Sequence, residues 1–216
     1  MIARNITHIQ QEAGQKVQLV IVSKFRNIAE IKEAYETGHR VFAENKVQAL
    51  LERAEQLPTD IEWHLIGHLQ TNKVKYIAPF IHTIQSVDSL KLLQEINKHA
   101  EKNNRIINCL LQIYIASEET KFGLTFDEAL EILKPEVLQL LPYVRIAGLM
   151  GMATNTNDMA QVEREFKSLK TFFDTVAITH DMPYFKHLSM GMSSDYMLAI
   201  ACGSNMIRVG SKVFEG

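Results

Sequence analysis

The chain has 216 residues, 46% hydrophobic and 22% charged, with a formal charge of −2, enough for one large α/β domain or two small ones. Charges of both signs are interspersed and never run to five of one sign, which argues against nucleic acid or an anionic membrane as a main partner. Cys109 and Cys202 form no CxxC, the N-terminus lacks the apolar core of a signal peptide, and no apolar run approaches the roughly 18 residues of a membrane span, so a cytoplasmic protein with reduced thiols is expected.

Ile2, Ile6 and Ile9 open the chain at helical spacing. "QLVIVS" (18–23) reads as a buried strand, and "IAEIKEAYE" after it puts Ile28, Ile31 and Tyr35 on one helical face. "RVFAE" (40–44) is the second strand, "NKVQALLERAEQL" its helix, and "IEWHLIG" (61–67) the third strand. A short helical stretch, "TNKVKYIA", stops at Pro79. "HTIQSV" (82–87) is the fourth strand, followed by a helix with Leu90, Leu93, Ile96 and Ala100 on one side. "INCLLQIYI" (107–115) is the longest β-like run, and Thr125 with Glu128 has capping-box spacing before Leu130 and Leu133. "VRIAGLMGM" (144–152) is the sixth strand, and Met159, Val162, Phe166, Leu169, Phe173 and Val176 stripe the helix behind it. "FKHLSMGM" (185–192) and "MIRVGSKVF" (206–214) are read as strands seven and eight, with the helix "SDYMLAIAC" between them.

Eight strands alternating with helices, and no linker, predict a single (β/α)8 TIM barrel over residues 1–216; GxGxxG is absent after the first strand, against a Rossmann sheet. The eighth strand lies almost at the C-terminus with no helix expected behind it. Residues 1–14 are therefore expected to form a helix packing on the barrel there, with no second domain.

Functional groups of such barrels sit after the C-terminal ends of strands, and Lys24 occupies that place on strand one. Regular alternation puts it on the face of Val20 and Val22, lining the interior. A lysine held over apolar walls is a nucleophile toward aldehydes; the alternative is a solvated lysine marking the end of a strand. At the other end of the chain, Ser189 and Gly191 form a small-residue turn before a helix, and Gly210 and Ser211 end strand eight. Phosphate sites in these barrels are frequently built after strands seven and eight, so amine and anion site together describe a pocket for a phosphorylated aldehyde such as pyridoxal phosphate.

The stretches "VSK" (22–24), "AENKVQ" (43–48), "WHLIGHLQTNK" (63–73), "KFGL" (121–124), "GLM" (148–150), "LSMGMSSD" (188–195) and "IRVGS" (207–211) resemble, in order and spacing, the pyridoxal phosphate homeostasis protein family, whose barrel is like the N-terminal domain of alanine racemase. The resemblance implies pyridoxal 5′-phosphate as cofactor, held as a Schiff base on Lys24. It implies phosphate contacts from Ser189, Gly191, Gly210 and Ser211, Arg208 facing the pyridine nitrogen, and Asn45 near the cofactor. "FRN" after the lysine, Ala43 and Lys46 depart from the family's usual residues and bear on the pocket rim.

A guanidinium can only donate, so at the ring nitrogen it favours the unprotonated form and a weak electron sink. Alanine racemase works with such an arginine but uses a second base from a further domain of its partner subunit, and none of the tyrosines here sits at a matching motif. The expectation is thus a monomeric protein that buffers pyridoxal phosphate and delivers it to dependent apoenzymes, without catalytic residues of its own. A low-activity amino acid racemase is the alternative. No metal is expected: His64 and His68 are four apart but interrupted by Gly67, with no carboxylate or cysteine close in sequence. Trp63 and the methionines at 150, 152, 190 and 192 read as core or pocket wall, Asp195 as serving its helix N-terminus, and Lys121 as either a cofactor neighbour or a solvated side chain.

Overall fold

The computed structural model describes residues 1–117 and 122–215. Eight parallel strands close into a barrel in sequence order, each hydrogen-bonded to the next and β8 to β1. The elements run α1 (Ile2–Ala13), β1 (Gln18–Val22), α2 (Ile28–Glu36), β2 (Val41–Glu44), α3 (Val47–Gln56), β3 (Glu62–Leu65) and, after a 3₁₀ turn, α4 (Val74–Ile77). They continue with β4 (Thr83–Val87), α5 (Leu90–Lys102), β5 (Ile107–Ile113), α6 (Phe126–Ile132), α7 (Pro135–Leu138), β6 (Val144–Gly151) and α8 (Met159–Thr179). The last are β7 (His187–Ser189), α9 (Tyr196–Ala201), β8 (Met206–Val209) and α10 (Ser211–Phe214).

The strands read as continuous apolar runs because both of their faces are buried. Outward residues such as Ile21, Phe42, Leu65, Ile84 and Leu111 join the main core under the helices, while Val20, Val22, Ala43, Leu110, Ala147, Met150 and Met206 form a separate cluster. The helices start where local chemistry caps them. Asn27 with Glu30, and Thr125 with Glu128, make reciprocal capping boxes. Ser89 and Asp158 accept from Leu92 and Gln161 N–H groups.

Several ends differ from the sequence reading. Strand eight stops at Val209, and "SKVF", read as its continuation, is the single helical turn α10, so a helix does follow β8. Strand seven shrinks to three residues, strand three ends before Ile66 and strand five at Ile113. On α8, Phe172 rather than Phe173 is buried, and Met159 faces solvent. Helix α1 buries Ile2, Ile6, Ile9 and Ala13 and packs against α2, α9 and α10. Asn5 Nδ2 donates to the Val213 carbonyl at 3.0 Å, and the Tyr196 hydroxyl donates to the Glu12 carboxylate. No helix among the described residues is long and apolar enough to cross a membrane.

Candidate functional site

A cleft of about 590 Å³ opens at the C-terminal mouth of the barrel, in the size range of small-molecule sites. Its walls come from the ends of β1, β2, β3, β6 and β8 and the turn after β7, and they bring together Lys24, Asn45, Arg208, Gly210 and Ser211. Lys121 lies outside the described residues.

Lys24 sits two residues past β1. Val20 and Val22 do turn into the barrel, but the lysine itself is exposed at the mouth rather than buried among them. Its amine makes no hydrogen bond or ion pair among the described residues and lies 5.9 Å from the Phe25 ring centroid. Phe25 is 83% exposed with φ of 67°, a left-handed conformation that a bulky residue adopts only under constraint. That turn is pinned by Arg26, which pairs with Glu215 and covers the Phe214 ring, and by Arg53, whose Nη2 donates to the Arg26 carbonyl at 2.9 Å. Next to it, Glu44 is fully buried, accepts from the Ser23 hydroxyl at 2.6 Å and pairs with Arg53 at 3.2 Å. Burial pushes its carboxyl above the ordinary range.

Arg208 stands on β8, the strand paired with β1 in register with Val20, and is only 3% exposed. Its Nη1 donates to Ser189 Oγ at 2.6 Å and its Nη2 to the Gly151 carbonyl at 3.0 Å, so the guanidinium plane is fixed from two strands. Burial lowers its pKa to about 10, which leaves it charged at neutral pH. Behind it, Ser189 Oγ donates to Gln85 Oε1 at 2.6 Å, and Gln85 Nε2 donates to His64 Nδ1 at 2.8 Å.

Two expected phosphate contacts sit elsewhere. Ser189 is fully buried, off the cleft wall, and its hydroxyl is consumed by Arg208 and Gln85. Gly191 is a packing residue: at φ of 94° it lets α9 approach so closely that a Cβ would meet Ala199 Cβ at 2.6 Å. The wall after β7 is instead Met192, Ser193 and Ser194. Gly210 N–H donates to Ser193 Oγ at 3.3 Å, tying this turn to the end of β8; a Cβ on Gly210 would come within 2.9 Å of the Val22 carbonyl. The backbone N–H groups of Ser193, Ser194, Ser211 and Lys212 have no acceptor among the described residues, the arrangement that binds anions at turns.

Other side chains settle into plainer roles. Trp63 is buried near Phe42, Met150 and Met190 are core, and Met152 and Met192 line the cleft. Asp195 caps the turn and not the helix: its Oδ1 accepts from the Met192 N–H at 2.6 Å and reaches no α9 N–H. His64 stacks on His82, and burial depresses its pKa to about 3. His68 does find a carboxylate, from 20 residues away: its Nδ1 lies 2.9 Å from Asp88 Oδ2, with the ring stacked on Phe122.

Ser193 and Ser194 stand two and three residues beyond the glycine the sequence points to, and doubled serines before an aspartate were their signal. Gln85 left none, because a polar residue inside a strand reads as a break in hydrophobicity.

Residues 1–215 match the family described as alanine racemase, N-terminal domain. The pyridoxal phosphate homeostasis protein of Pasteurella multocida is 34% identical over 219 residues, which covers 99% of this chain and 93% of that protein. That of Schizosaccharomyces pombe is 37% identical over 212 residues, covering 96% and 88%. The solved structure of PipY from Synechococcus elongatus with PLP bound is 34% identical, covers 99% of this chain and 100% of that one, and superposes with a TM-score of 0.88. The chain belongs to the pyridoxal phosphate homeostasis protein family.

Proposed function

We propose that the chain binds pyridoxal 5′-phosphate in this cleft, keeps the aldehyde on the Lys24 amine, and holds the cofactor for release to apoenzymes rather than for turnover. The observation that carries this reading is the meeting, in one cleft, of a lysine amine, a buried guanidinium and a group of backbone N–H donors, the amine and the donors without a hydrogen-bond partner among the described residues. PipY with PLP bound, and relatives named for pyridoxal phosphate homeostasis, support it.

The residues present fit such a group. Bound pyridoxal phosphate supplies an aldehyde for an amine and a ring that can accept electrons. The Ser193, Ser194, Ser211 and Lys212 N–H groups would take the phosphate oxygens, with Gly210 leaving the room that a side chain would fill. Ser189 and Gly191 support this turn and Arg208 from behind. Asn45 would lie beside the lysine-bound end. Arg208 would donate to the ring nitrogen; being unable to accept a proton from it, the guanidinium keeps the ring a weak electron sink.

Turnover of an amino acid also needs an acid or base opposite the lysine. Among the described residues on the cleft wall, the ionisable side chains besides Lys24 are Arg26, Arg208 and Glu215, and Glu215 is occupied by Arg26. That composition favours holding over chemistry. Two assays test the reading. Loaded protein should show a yellow absorbance band that Lys24→Ala abolishes, and should activate a pyridoxal phosphate-dependent apoenzyme. Incubated with alanine in deuterium oxide, it should exchange the Cα hydrogen no faster than free cofactor; sustained turnover of a few per second would establish the racemase instead.

A further inference from the structure

Four buried polar side chains are linked in a row inside the barrel: Arg208 (β8), Ser189 (β7), Gln85 (β4) and His64 (β3), all under 4% exposed. Successive links measure 2.6, 2.6 and 2.8 Å. Two ends fix the direction of every hydrogen in this row. Arg208 can only donate, so Ser189 Oγ must accept from it and turn its own hydrogen to Gln85 Oε1. At the other end Met206 Sδ, which can only accept, lies 3.4 Å from Gln85 Nε2, so the amide nitrogen faces Met206 and His64. His64 Nδ1 therefore accepts, and its ring is neutral with the hydrogen on Nε2. Turning the Gln85 amide over would set Oε1 against Met206 Sδ, two acceptors face to face.

We infer that Ser189, Gln85 and His64 are positioning residues that hold the Arg208 guanidinium in the one orientation in which it serves the ring nitrogen of the bound cofactor. Arg208 Nη1 and Nη2 each have a bond inside the barrel, to Ser189 and to Gly151, while Nε–H has no acceptor among the described residues and the side chain lines the cleft. With the row intact the guanidinium is held at two points; with Ser189 made apolar it keeps the Gly151 carbonyl alone, and with Gln85 made apolar the Ser189 hydroxyl loses the acceptor that fixes its rotamer, so its hydrogen is free to turn toward the guanidinium. His64 acts one step further back, by holding the Gln85 amide against the flip that would point a donor at Ser189. Sequence spacing conceals this arrangement, since its members come from four strands.

The inference rests on the assignment of Arg208 to the ring nitrogen, and the experiment separates the two. Affinities are measured for pyridoxal 5′-phosphate and for its 1-deaza analogue, which keeps aldehyde and phosphate but has carbon in place of the ring nitrogen. The proteins are wild type, Gln85→Leu and Ser189→Ala, with thermal melts to show that each is folded; Ser189→Ala removes one oxygen and carries the test if Gln85→Leu does not fold. Wild type should prefer the natural cofactor by about tenfold, the range of a hydrogen bond to a charged group. Both variants should lose most of that preference while binding the analogue as wild type does. A preference unchanged in folded variants overturns the positioning role. Equal binding of the two compounds by wild type overturns the Arg208 assignment and the inference with it, and binding of neither overturns the cofactor reading itself.

Discussion

The two walls of the cleft are built to different standards of rigidity. On the β8 side Arg208 is buried and held by two strands, and the turns at Ser193 and Gly210 are laced to each other. On the β1 side the turn is pinned by Arg26 and Arg53, but the Lys24 amine it carries is exposed and has no hydrogen bond or ion pair among the described residues, and the next residue, Phe25, is aromatic, open to solvent and left-handed. A site that must align a substrate for chemistry fixes its reactive groups on both sides. A site that must take up and give back one molecule needs a firm seat for the constant parts and a mobile group for the reversible bond. The contrast matches a holder.

Substitutions on the two walls should therefore fail in different ways. Lys24→Ala should have the largest effect, weakening retention of pyridoxal phosphate at least about 1000-fold by equilibrium dialysis while leaving stability within about 0.5 kcal/mol, since the amine makes no hydrogen bond or ion pair among the described residues. Arg208→Met should do the reverse in kind: it takes a donor from Ser189 Oγ, which keeps Gln85, and from the Gly151 carbonyl inside the barrel, and urea unfolding of the cofactor-free protein should register a loss of about 1–2 kcal/mol. Equal stability losses from the two would erase the distinction between the walls.

The seat behind Arg208 should also show in acid. His64 is held neutral, with a folded pKa of about 3 against an ordinary 6.5, its charge opposed by burial and by His82 and His187. Between those values the unfolded chain binds the proton and the folded chain does not, so stability is fully present above pH 6.5 and lost as pH falls, by up to about 1.4 kcal/mol per pH unit. His64→Gln, which keeps an acceptor for Gln85, should lose less stability between pH 7 and 5 than wild type; parallel curves would mean that His64 is not the group buried uncharged. The smallest effect belongs to the open wall. Phe25→Gly should raise stability by about 0.5–1 kcal/mol, because relief of the left-handed strain exceeds the entropy cost of glycine, whereas Phe25→Ala should not.

The barrel was legible in the sequence because strands buried on both faces announce themselves as apolar runs and the helices between them keep a clean 3.6-residue stripe. Its ends were not. "MIRVGSKVF" stays apolar past Val209, and hydrophobicity alone does not reveal that the chain curls into α10 at Ser211. Lys24, Asn45, Arg208, Gly210 and Ser211 were legible from their places at strand ends and from family motifs, and the cleft does gather them. Ser189 and Gly191 were placed in the phosphate seat because a turn between a short strand and a helix has no period to count by. The strand ends at Ser189, three residues before the Met192 at which it was read to end, and the cleft wall falls at Ser193 and Ser194. Contacts between strands far apart in sequence, such as Gln85 with Ser189 or His68 with Asp88, follow from barrel closure and exist only once the fold is known.

If Lys24 holds the cofactor's aldehyde, the bond can be trapped where it forms. Borohydride makes a reversible lysine–aldehyde linkage permanent, so protein loaded with pyridoxal phosphate, reduced and digested, can be mapped by mass spectrometry. One pyridoxyl phosphate per chain is expected, on the peptide that contains Lys24. A label spread over surface lysines, or fixed on Lys46 or Lys212 with Lys24 unmodified, would contradict it.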